Sequence, residues 1–341
     1  MPARSSRARA RGRSESRGRD DTLEDGMARL QDPLRGAPLM RVAAIDVGTN
    51  STRLLVAEGW AEDFRPLDRR MIITRLGEGV DRNRALAHDA LERTLLTVAE
   101  YAATCGEYGV ERMRVTGTSA VRDARNRNQF FEGIEKLTGR APEMLSGEAE
   151  ARTTFLGALS DLEGGLPTLV VDIGGGSTEL VYGTDEPERL VSLDIGCVRL
   201  FEKHLHSDPP SPQELETLRA EVRGALGDAR QQLDAPPAVR LLGVAGTITQ
   251  LAQLKTGLPV YDPDVTHHMV LSHGDVRRLV RRLESLTLSQ RRRIKGLEPG
   301  RADVILAGGE LLLAVMETFD CAEVLASEKD ILDGLVIELL Q

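Results

Sequence analysis

Two stretches of the chain share a pattern of residue types that could bind a phosphate chain together with a metal ion. The first stretch is residues 44–56 and the second is residues 170–182, so equivalent positions lie 126 residues apart. In each stretch an apolar run ends in an aspartate, Asp46 or Asp172, and a turn rich in glycine and hydroxyl residues follows. A turn of this kind between two strands presents a row of backbone N–H groups to an anion. The pattern therefore predicts one phosphate-binding hairpin in each half of the chain.

The turn residues supply the predicted phosphate contacts. In the second turn, three consecutive glycines let the backbone approach a phosphate because no Cβ intervenes. A third strand, residues 241–245, leads through a glycine into a predicted helix, whose N-terminus suits another phosphate or a nucleoside. The predicted phosphate-binding residues are Gly48, Thr49, Asn50 and Ser51 in the first turn, Gly174, Gly175, Gly176, Ser177 and Thr178 in the second, and Gly246 and Thr247 in the third.

Carboxylates next to the turns indicate a metal site. Asp46 and Asp172 end apolar strands, where a carboxylate is costly to bury unless it binds a cation or caps its own turn. Two copies at equivalent positions favour the cation, and with Glu179 they offer the hard oxygen ligands that Mg²⁺ prefers. Glu179 could instead lie on a strand face towards solvent. The adjacent His267 and His268 are predicted to form a solvated loop rather than a ligand pair.

Glu150 and Arg122 are the other two candidates for chemistry. Glu150 lies in a predicted helix start, residues 146–152, where an acid can simply stabilise the helix N-terminus. A hydrolase also needs a base that orients water, and no histidine is close in sequence to either turn. Arg122 could clamp a phosphate with two hydrogen bonds, or it could pair with Asp123. The residues alone leave both alternatives open.

Length and composition limit the classes of function. The 341 residues exceed one comfortable hydrophobic core, so two domains are the default. A net charge of −9 and an aromatic content of 3% argue against a general nucleic-acid binder. No apolar stretch approaches the roughly 20 residues that span a bilayer, so no membrane partner is expected. Three widely spaced cysteines suit a reducing cytoplasm, and few lysines beside many arginines suggest a GC-rich bacterium.

The elements that must position these residues alternate between strands and helices. Residues 1–37 carry alternating arginines and then an acidic patch, so they are predicted to be a disordered basic tail; alternatively, the natural start lies at Met27 or Met40. Each half then opens with a hairpin, which predicts an α/β protein of two related units with a cleft between them. Predicted strands are residues 41–57 and 168–183 (two strands each), 70–75, 111–117, 141–145, 189–193, 241–245 and 323–326; predicted helices are 89–108, 126–138, 147–159, 211–232, 247–255, 274–284, 288–295, 303–318 and 330–340.

At these residues the chain resembles the exopolyphosphatase and guanosine pentaphosphate phosphohydrolase family, within the superfamily of sugar kinases, heat-shock 70 proteins and actin. The likeness runs in collinear order over roughly residues 40–341 and is closest to the short bacterial form of two domains. The most specific stretch is Asp-Ile-Gly-Gly-Gly-Ser-Thr-Glu, residues 172–179. The other matching segments are residues 45–51, 117–122, 146–152, 194–200 and 243–247.

The resemblance implies an architecture and a role for each candidate. It implies two actin-like (ribonuclease H-like) domains, residues 38–153 and 154–341, with the active site in the cleft. The water-activating carboxylate of the family corresponds to Glu150, and its phosphate-contacting arginine corresponds to Arg122. Asp46, Asp172 and Glu179 correspond to the acidic positions around a Mg²⁺ ion. A cytoplasmic homodimer is expected on the same ground.

The activity implied in this way is the Mg²⁺-dependent release of terminal orthophosphate from inorganic polyphosphate. Hydrolysis of guanosine pentaphosphate by the same residues is the nearest alternative, with the nucleoside over residues 243–247. An ATP-using kinase of the superfamily and a non-catalytic sensor of polyphosphate or the guanosine alarmone are the remaining alternatives. The complete acidic set argues against the sensor.

Overall fold

The two predicted hairpins each belong to a separate β-sheet. A computed structural model describes residues 39–60, 63–237 and 240–341, so the tail predicted for residues 1–37 lies outside the described residues. Residues 39–341 form one compact unit, and the boundary predicted between residues 153 and 154 stays a prediction. No helix in the described ranges is long and apolar enough to cross a membrane.

The first half of the described chain builds a five-stranded sheet in the order β3-β2-β1-β4-β5. Strand β1 pairs with β2 in antiparallel and with β4 in parallel orientation. The elements are, in chain order, β1 (Met40–Val47), β2 (Thr52–Trp60), β3 (Asp63–Ile72), α1 (Val80–Asn83), α2 (His88–Glu107), β4 (Arg112–Gly117), α3 (Ser119–Asp123), α4 (Arg127–Thr138), β5 (Glu143–Met144) and α5 (Gly147–Leu159).

The second half builds a six-stranded sheet in the order β10-β11-β9-β6-β7-β8. A short 3₁₀ helix, Pro299–Arg301, precedes α12. The elements are β6 (Thr168–Ile173), β7 (Thr178–Gly183), β8 (Pro187–Leu193), α6 (Cys197–His204), α7 (Pro212–Leu233), β9 (Arg240–Val244), α8 (Ala245–Thr256), α9 (Pro263–Thr266), β10 (Val270–Ser272), α10 (His273–Glu284), α11 (Leu288–Arg291), α12 (Ile305–Thr318), β11 (Glu323–Ala326) and α13 (Ile331–Leu340). The predicted α/β class is confirmed.

The two hairpins have equivalent registers. Asp46 lies opposite Arg53 across β1 and β2, and Asp172 lies opposite Glu179 across β6 and β7. Each turn is closed by one backbone hydrogen bond from its first glycine, at 3.0 Å in the first hairpin and 3.1 Å in the second. The strand–turn–strand repeat predicted from the sequence is therefore present in both halves.

Several elements differ from their predicted bounds. The strand predicted at residues 70–75 is β3, which starts at Asp63 and contains Pro66; a proline is tolerated there because β3 is an edge strand. Helix α3 lies in a stretch for which no helix or strand was predicted, and its Ala120 and Val121 are buried. Helix α11 ends at Arg291 instead of residue 295. Four further elements were not predicted. Helices α1 and α9 and strand β10 have only three or four residues each, whereas α6 has buried residues at helical spacing that the prediction missed.

The last helix, α13, packs against the first sheet. Its Leu335 and Val336 are buried in one cluster with Val42 of β1 and Leu55 of β2. Helix α13 also crosses α5 so closely that a Cβ on Gly334 would overlap the backbone carbonyl oxygen of Thr153. The crossing therefore needs a glycine for its close approach.

Replacing Gly334 by Ala should lower the free energy of unfolding by about 1–3 kcal/mol, the usual cost of overpacking. Urea unfolding followed by circular dichroism measures this change. Gly224→Ala in α7 is the matched control, since a Cβ there meets no atom within 4 Å and alanine favours a helix by about 1 kcal/mol. Equal stability of the two variants would contradict the close packing of α5 and α13.

Candidate active site

The two hairpin turns contact each other. A Cβ built on Gly175 would lie 2.9 Å from Cβ of Thr49, and one on Gly176 would lie 2.7 Å from Oγ of Ser119. Real Cβ atoms do not approach so closely, so glycine is required at both positions. Oγ1 of Thr49 in the first turn lies 2.7 Å from Oγ of Ser119 at the start of α3. The first turn, the second turn and α3 therefore meet at one point.

A cavity of about 60 Å³ lies where these turns meet. The third predicted turn reaches the same cavity through Ala245 and Gly246. Among the predicted site residues, those that line it are Asp46, Gly48, Thr49, Asn50, Ser51, Glu150, Asp172, Gly174, Gly175, Ser177 and Gly246. The phosphate and metal candidates of both halves are thus brought together.

Five predicted residues do not line this cavity. Oγ1 of Thr178 donates a hydrogen bond to the carbonyl oxygen of Ile195 at 2.7 Å. Gly176 packs against α3, and Thr247 is buried in the first turn of α8. The two charged residues do not line the cavity but neighbour residues that do: Arg122 pairs with Glu150, and Glu179 lies opposite Asp172.

Glu150 and Arg122 form an ion pair beside the cavity. Nη1 of Arg122 donates to Oε2 of Glu150 at 2.7 Å and to the carbonyl oxygen of Leu145 at 2.9 Å. Glu148, the other acid at this helix start, is exposed, whereas Glu150 is 9% exposed. Because the exposed Glu148 can already stabilise the helix N-terminus, that role does not explain why Glu150 is buried. Its burial places a carboxylate where it can act on a bound group.

Burial raises the pKa of Glu150 to about 7, and the nearby Asp46 adds to this increase. The guanidinium of Arg122 acts in the opposite direction and lowers the pKa of Glu150 by charge and by hydrogen bonding. A general base works best when its pKa lies near the operating pH. The environment of Glu150 is thus suited to accepting a proton near neutrality.

The two carboxylates of the second hairpin, Asp172 and Glu179, are buried and form no salt bridge with a described side chain. Burial, followed by the charge of Glu150, raises the pKa of Asp172 to about 7. Burial and the charges of Glu150 and Asp172 raise the pKa of Glu179 well above its usual value. Oγ of Ser192 donates to Oε1 of Glu179 at 2.8 Å, but Oε2 is buried and has no hydrogen-bond partner among the described residues. An oxygen cluster of this kind fits a divalent cation.

The predicted Mg²⁺ residues do not form a closed protein cage. Within the described ranges, the group of three ligand-type residues whose ligand atoms all lie within 4.8 Å of one another is Asp161, His267 and His268. Magnesium is commonly held by one or two carboxylates together with water and substrate phosphate oxygens. The wider spacing of Asp46, Asp172 and Glu179 is compatible with that mode of binding.

The group of Asp161, His267 and His268 has hydrogen bonds that oppose metal binding. Nδ1 of His267 accepts from the backbone N–H of Glu328 at 3.1 Å, so Nε2 of a neutral His267 carries the proton. That Nε2 lies 2.7 Å from Oδ2 of Asp161 and has no free lone pair for a metal. Both histidines lie in a turn between α9 and β10, as the predicted loop requires, but they are only partly exposed and contact Asp161.

Sequence reasoning missed three charged residues at the site. Arg53 pairs with Asp46 at 2.7 Å through Nη2 and with Asp330, the N-cap of α13, through Nη1. The guanidinium of Arg301 lies against Gly246 and lines the cavity. Arg301 forms no salt bridge with any described residue, and burial lowers its pKa. An unpaired guanidinium at a cavity lined by glycine turns indicates an anionic ligand.

The chain belongs to the Ppx/GppA phosphatase family, whose sequence profile matches residues 55–341. It is 40% identical to exopolyphosphatase 2 of Mycobacterium tuberculosis over 315 residues, which cover 88% of this chain and 99% of that protein. The crystal structure of the Aquifex aeolicus member of the family is 31% identical, with a TM-score of 0.76 over 89% of this chain and 98% of that one. A guanosine-5'-triphosphate,3'-diphosphate pyrophosphatase of Vibrio vulnificus is 28% identical over 87% of this chain and 59% of that protein.

The raised pKa values predict how a divalent cation affects stability. Unfolded Asp and Glu ionise near pH 4, whereas Glu150 and Asp172 in the folded protein ionise near 7. Without a cation, these groups therefore lower the free energy of unfolding as the pH rises from about 4 to 7. Cation binding requires the ionised carboxylates and should offset this loss.

Thermal melts in Mg²⁺ and in EDTA measure this offset. The increase in Tm caused by Mg²⁺ should be larger at pH 8 than at pH 5.5, and Asp172→Asn should reduce it. KCl at equal ionic strength is the control for screening. An increase that is the same at both pH values would contradict cation binding by these carboxylates.

Proposed function

We propose that this protein is an exopolyphosphatase that removes terminal orthophosphate from inorganic polyphosphate. The observation that carries the proposal is the meeting of two glycine turns over one cavity, with the Glu150–Arg122 pair at its side. The turns offer backbone N–H groups to linked phosphoryl groups, and Arg301 offers an unpaired positive charge. The name of the M. tuberculosis relative supports the same substrate.

In the proposed reaction, Glu150 orients a water molecule and accepts its proton as the water oxygen attacks the terminal phosphorus. The bond from that phosphorus to the bridging oxygen breaks, and the shortened polyphosphate leaves with the bridging oxygen. Arg122 lowers the pKa of Glu150 and so favours its ionised form, and from its place beside the cavity we assign it the stabilisation of negative charge in the transition state. The N–H groups of the glycine turns hold the terminal phosphates in line with the attacking water.

We propose Mg²⁺ as the metal ion, held by Asp46, Asp172 and Glu179. The raised pKa values of Asp172 and Glu179 and the unpartnered oxygen of Glu179 support a divalent cation at this position. When bound, it would neutralise charge on the phosphate oxygens. A cytoplasmic location and a homodimer are further proposals, which rest on the family resemblance; fractionation of cells and light scattering test them.

The test of this function is phosphate release from polyphosphates of defined length. Release that depends on Mg²⁺ is expected, with each polyphosphate shortened from its end. ADP formation from ATP with transfer to an acceptor would indicate a kinase. Binding of polyphosphate without any phosphate release would indicate a sensor.

Hydrolysis of guanosine pentaphosphate is the second candidate, because a larger cavity adjoins the phosphate site. This cavity of about 590 Å³ shares Arg53, Gly246 and Arg301 with the smaller one. Its walls include Val260 and Tyr261, which could contact a base. The name of the V. vulnificus relative gives this substrate class. A higher kcat/KM on guanosine pentaphosphate than on polyphosphate would favour this candidate.

A further inference from the structure

Arg199 in α6 connects three separate elements around the phosphate site. Its Nε donates to the carbonyl oxygen of Gly176 in the second turn at 2.9 Å. Its Nη2 pairs with Asp123 in α3 at 2.6 Å, and its Nη1 pairs with Asp81 in α1. The side chain is 13% exposed. One guanidinium thus joins the second hairpin turn to two helices of the first half.

All the described polar contacts of Arg199 are with other residues of the protein, and none is with a residue that lines the phosphate site. Arg199 does not line the cavity of about 60 Å³ that holds the candidate phosphate residues. It lines a separate, smaller space with Asp81, Asp123 and Gly176. Both of its terminal nitrogens face carboxylates, which together with a hydrogen bond raise its pKa and keep it charged. Arg199 can therefore affect the reaction only through the residues it holds.

Arg199 contacts Asp123, which is the residue next to Arg122. Asp123 and Arg122 are consecutive in α3, and Arg122 pairs with Glu150. The first residue of α3, Ser119, contacts the first turn through Thr49. A shift of α3 relative to the second turn would therefore move Arg122 away from the phosphate that the glycines bind and would disturb its pair with Glu150, which lies in α5.

We propose that Arg199 is a positioning residue that fixes the second glycine turn at a set distance from α3. By this contact it keeps the Glu150–Arg122 pair aligned with the terminal phosphoryl group. The proposal rests on the proposed hydrolysis of polyphosphate. Misplacement of reacting groups by about 1 Å can cost about 10²-fold in rate, which sets the size of the expected effect.

Steady-state hydrolysis of a defined polyphosphate by Arg199→Gln tests the proposal. We expect kcat to fall by about 10²-fold and KM to change by less than about threefold, because the glycine turns that bind phosphate remain. Arg199→Lys keeps the charge but places all donors on one nitrogen, so it cannot reproduce the three separate contacts of Nε, Nη1 and Nη2, and its kcat should lie between those of the wild type and Arg199→Gln. Arg223→Gln in α7, which removes an exposed arginine paired with Glu216, should behave as wild type.

A double-mutant cycle with Asp123→Asn separates this role from a general loss of structure. If Arg199 acts through α3, the double variant should have a kcat no lower than that of Arg199→Gln. Amide hydrogen exchange of α3 and of residues 174–178 should become faster in Arg199→Gln, while exchange in β1 and β6 stays unchanged.

Four results would overturn the proposal: an unchanged kcat, a rise in KM alone, additive effects in the cycle, or faster exchange throughout the protein. Failure of the wild type to release phosphate from polyphosphate would instead contradict the proposed function. Even then, unchanged amide hydrogen exchange of α3 in Arg199→Gln would show that Arg199 does not hold α3 and would overturn the proposal.

Discussion

Glu150→Gln should lower kcat for polyphosphate hydrolysis by about 10²–10⁴-fold, the usual contribution of a general base. Glutamine has nearly the same shape but cannot accept the proton of the attacking water. In the wild type, activity should rise with pH as Glu150 loses its proton, because burial raises its pKa to about 7. In the variant, this acid limb of the pH–rate profile should disappear. Stopped assays of phosphate release between pH 5.5 and 9 measure both effects.

Glu148→Gln is the matched control for this experiment. Glu148 lies in the same first turn of α5 but is exposed, so its replacement should leave kcat within a factor of about three, as expected for a surface substitution. Binding of polyphosphate to Glu150→Gln should persist, since the glycine turns are unchanged. Normal turnover by Glu150→Gln would exclude Glu150 as the base.

Arg122→Gln should lower kcat by about 10²–10³-fold, the range seen when one group that stabilises transition-state charge is removed. It should also shift the remaining activity to higher pH. The reason is that Arg122 holds the pKa of Glu150 down through its charge and its hydrogen bond, whereas burial and Asp46 raise it. Without the guanidinium, Glu150 stays protonated to a higher pH, and a larger fraction of the enzyme lacks its base at neutrality.

Arg122→Lys retains a positive charge, so its pH–rate profile should shift less than that of Arg122→Gln. Arg125→Gln is the control, because Arg125 is exposed just beyond α3 and no described acidic side chain pairs with it. A loss of rate in Arg122→Gln without any shift of the pH–rate profile would mean that Arg122 acts on the phosphate alone. An unchanged rate would remove Arg122 from the site.

The parts of the site that could be predicted from sequence are those set by local chemistry. Turn residues and the aspartate before them lie within a few positions of one another, so both hairpins were predicted at the positions where they are found. Helix α5 was predicted at residues 147–159, as it is found, because Ser146 caps its first turn and apolar residues follow at helical spacing. Glu150 needed the family resemblance, since its burial depends on the tertiary structure.

The residues that were missed reach the site from distant parts of the chain. Arg301 is the last residue of a short 3₁₀ helix, and Asp330 precedes the last helix; neither has a neighbour in sequence that marks it. Arg53 did have a signal. It stands 126 positions before Glu179, so the repeat that identified Glu179 also identifies Arg53. The structure shows why, since these are the residues opposite Asp46 and Asp172.

The two hairpins differ in the charge of the residue opposite the aspartate, and this changes their electrostatics. In the first hairpin the cross-strand partner of the aspartate is a cation, and in the second hairpin it is another carboxylate. The first aspartate is therefore neutralised within its own hairpin, by the pair between Arg53 and Asp46. The second pair, Asp172 and Glu179, has no cation in its own hairpin, although the charge of Arg53 also acts on Asp172; we therefore expect the second half to contribute most to holding a metal ion.

The packing of α13 on β1 and β2 also constrains how the protein is made. Arg53 and its partner Asp330 are 277 residues apart, and the ribosome adds about 5–20 residues per second. The first sheet therefore waits roughly 14–55 seconds for the helix that covers its apolar face. During that interval the apolar face of β1 and β2 lacks the helix that covers it, so folding of this half should complete only after α13 has been synthesised.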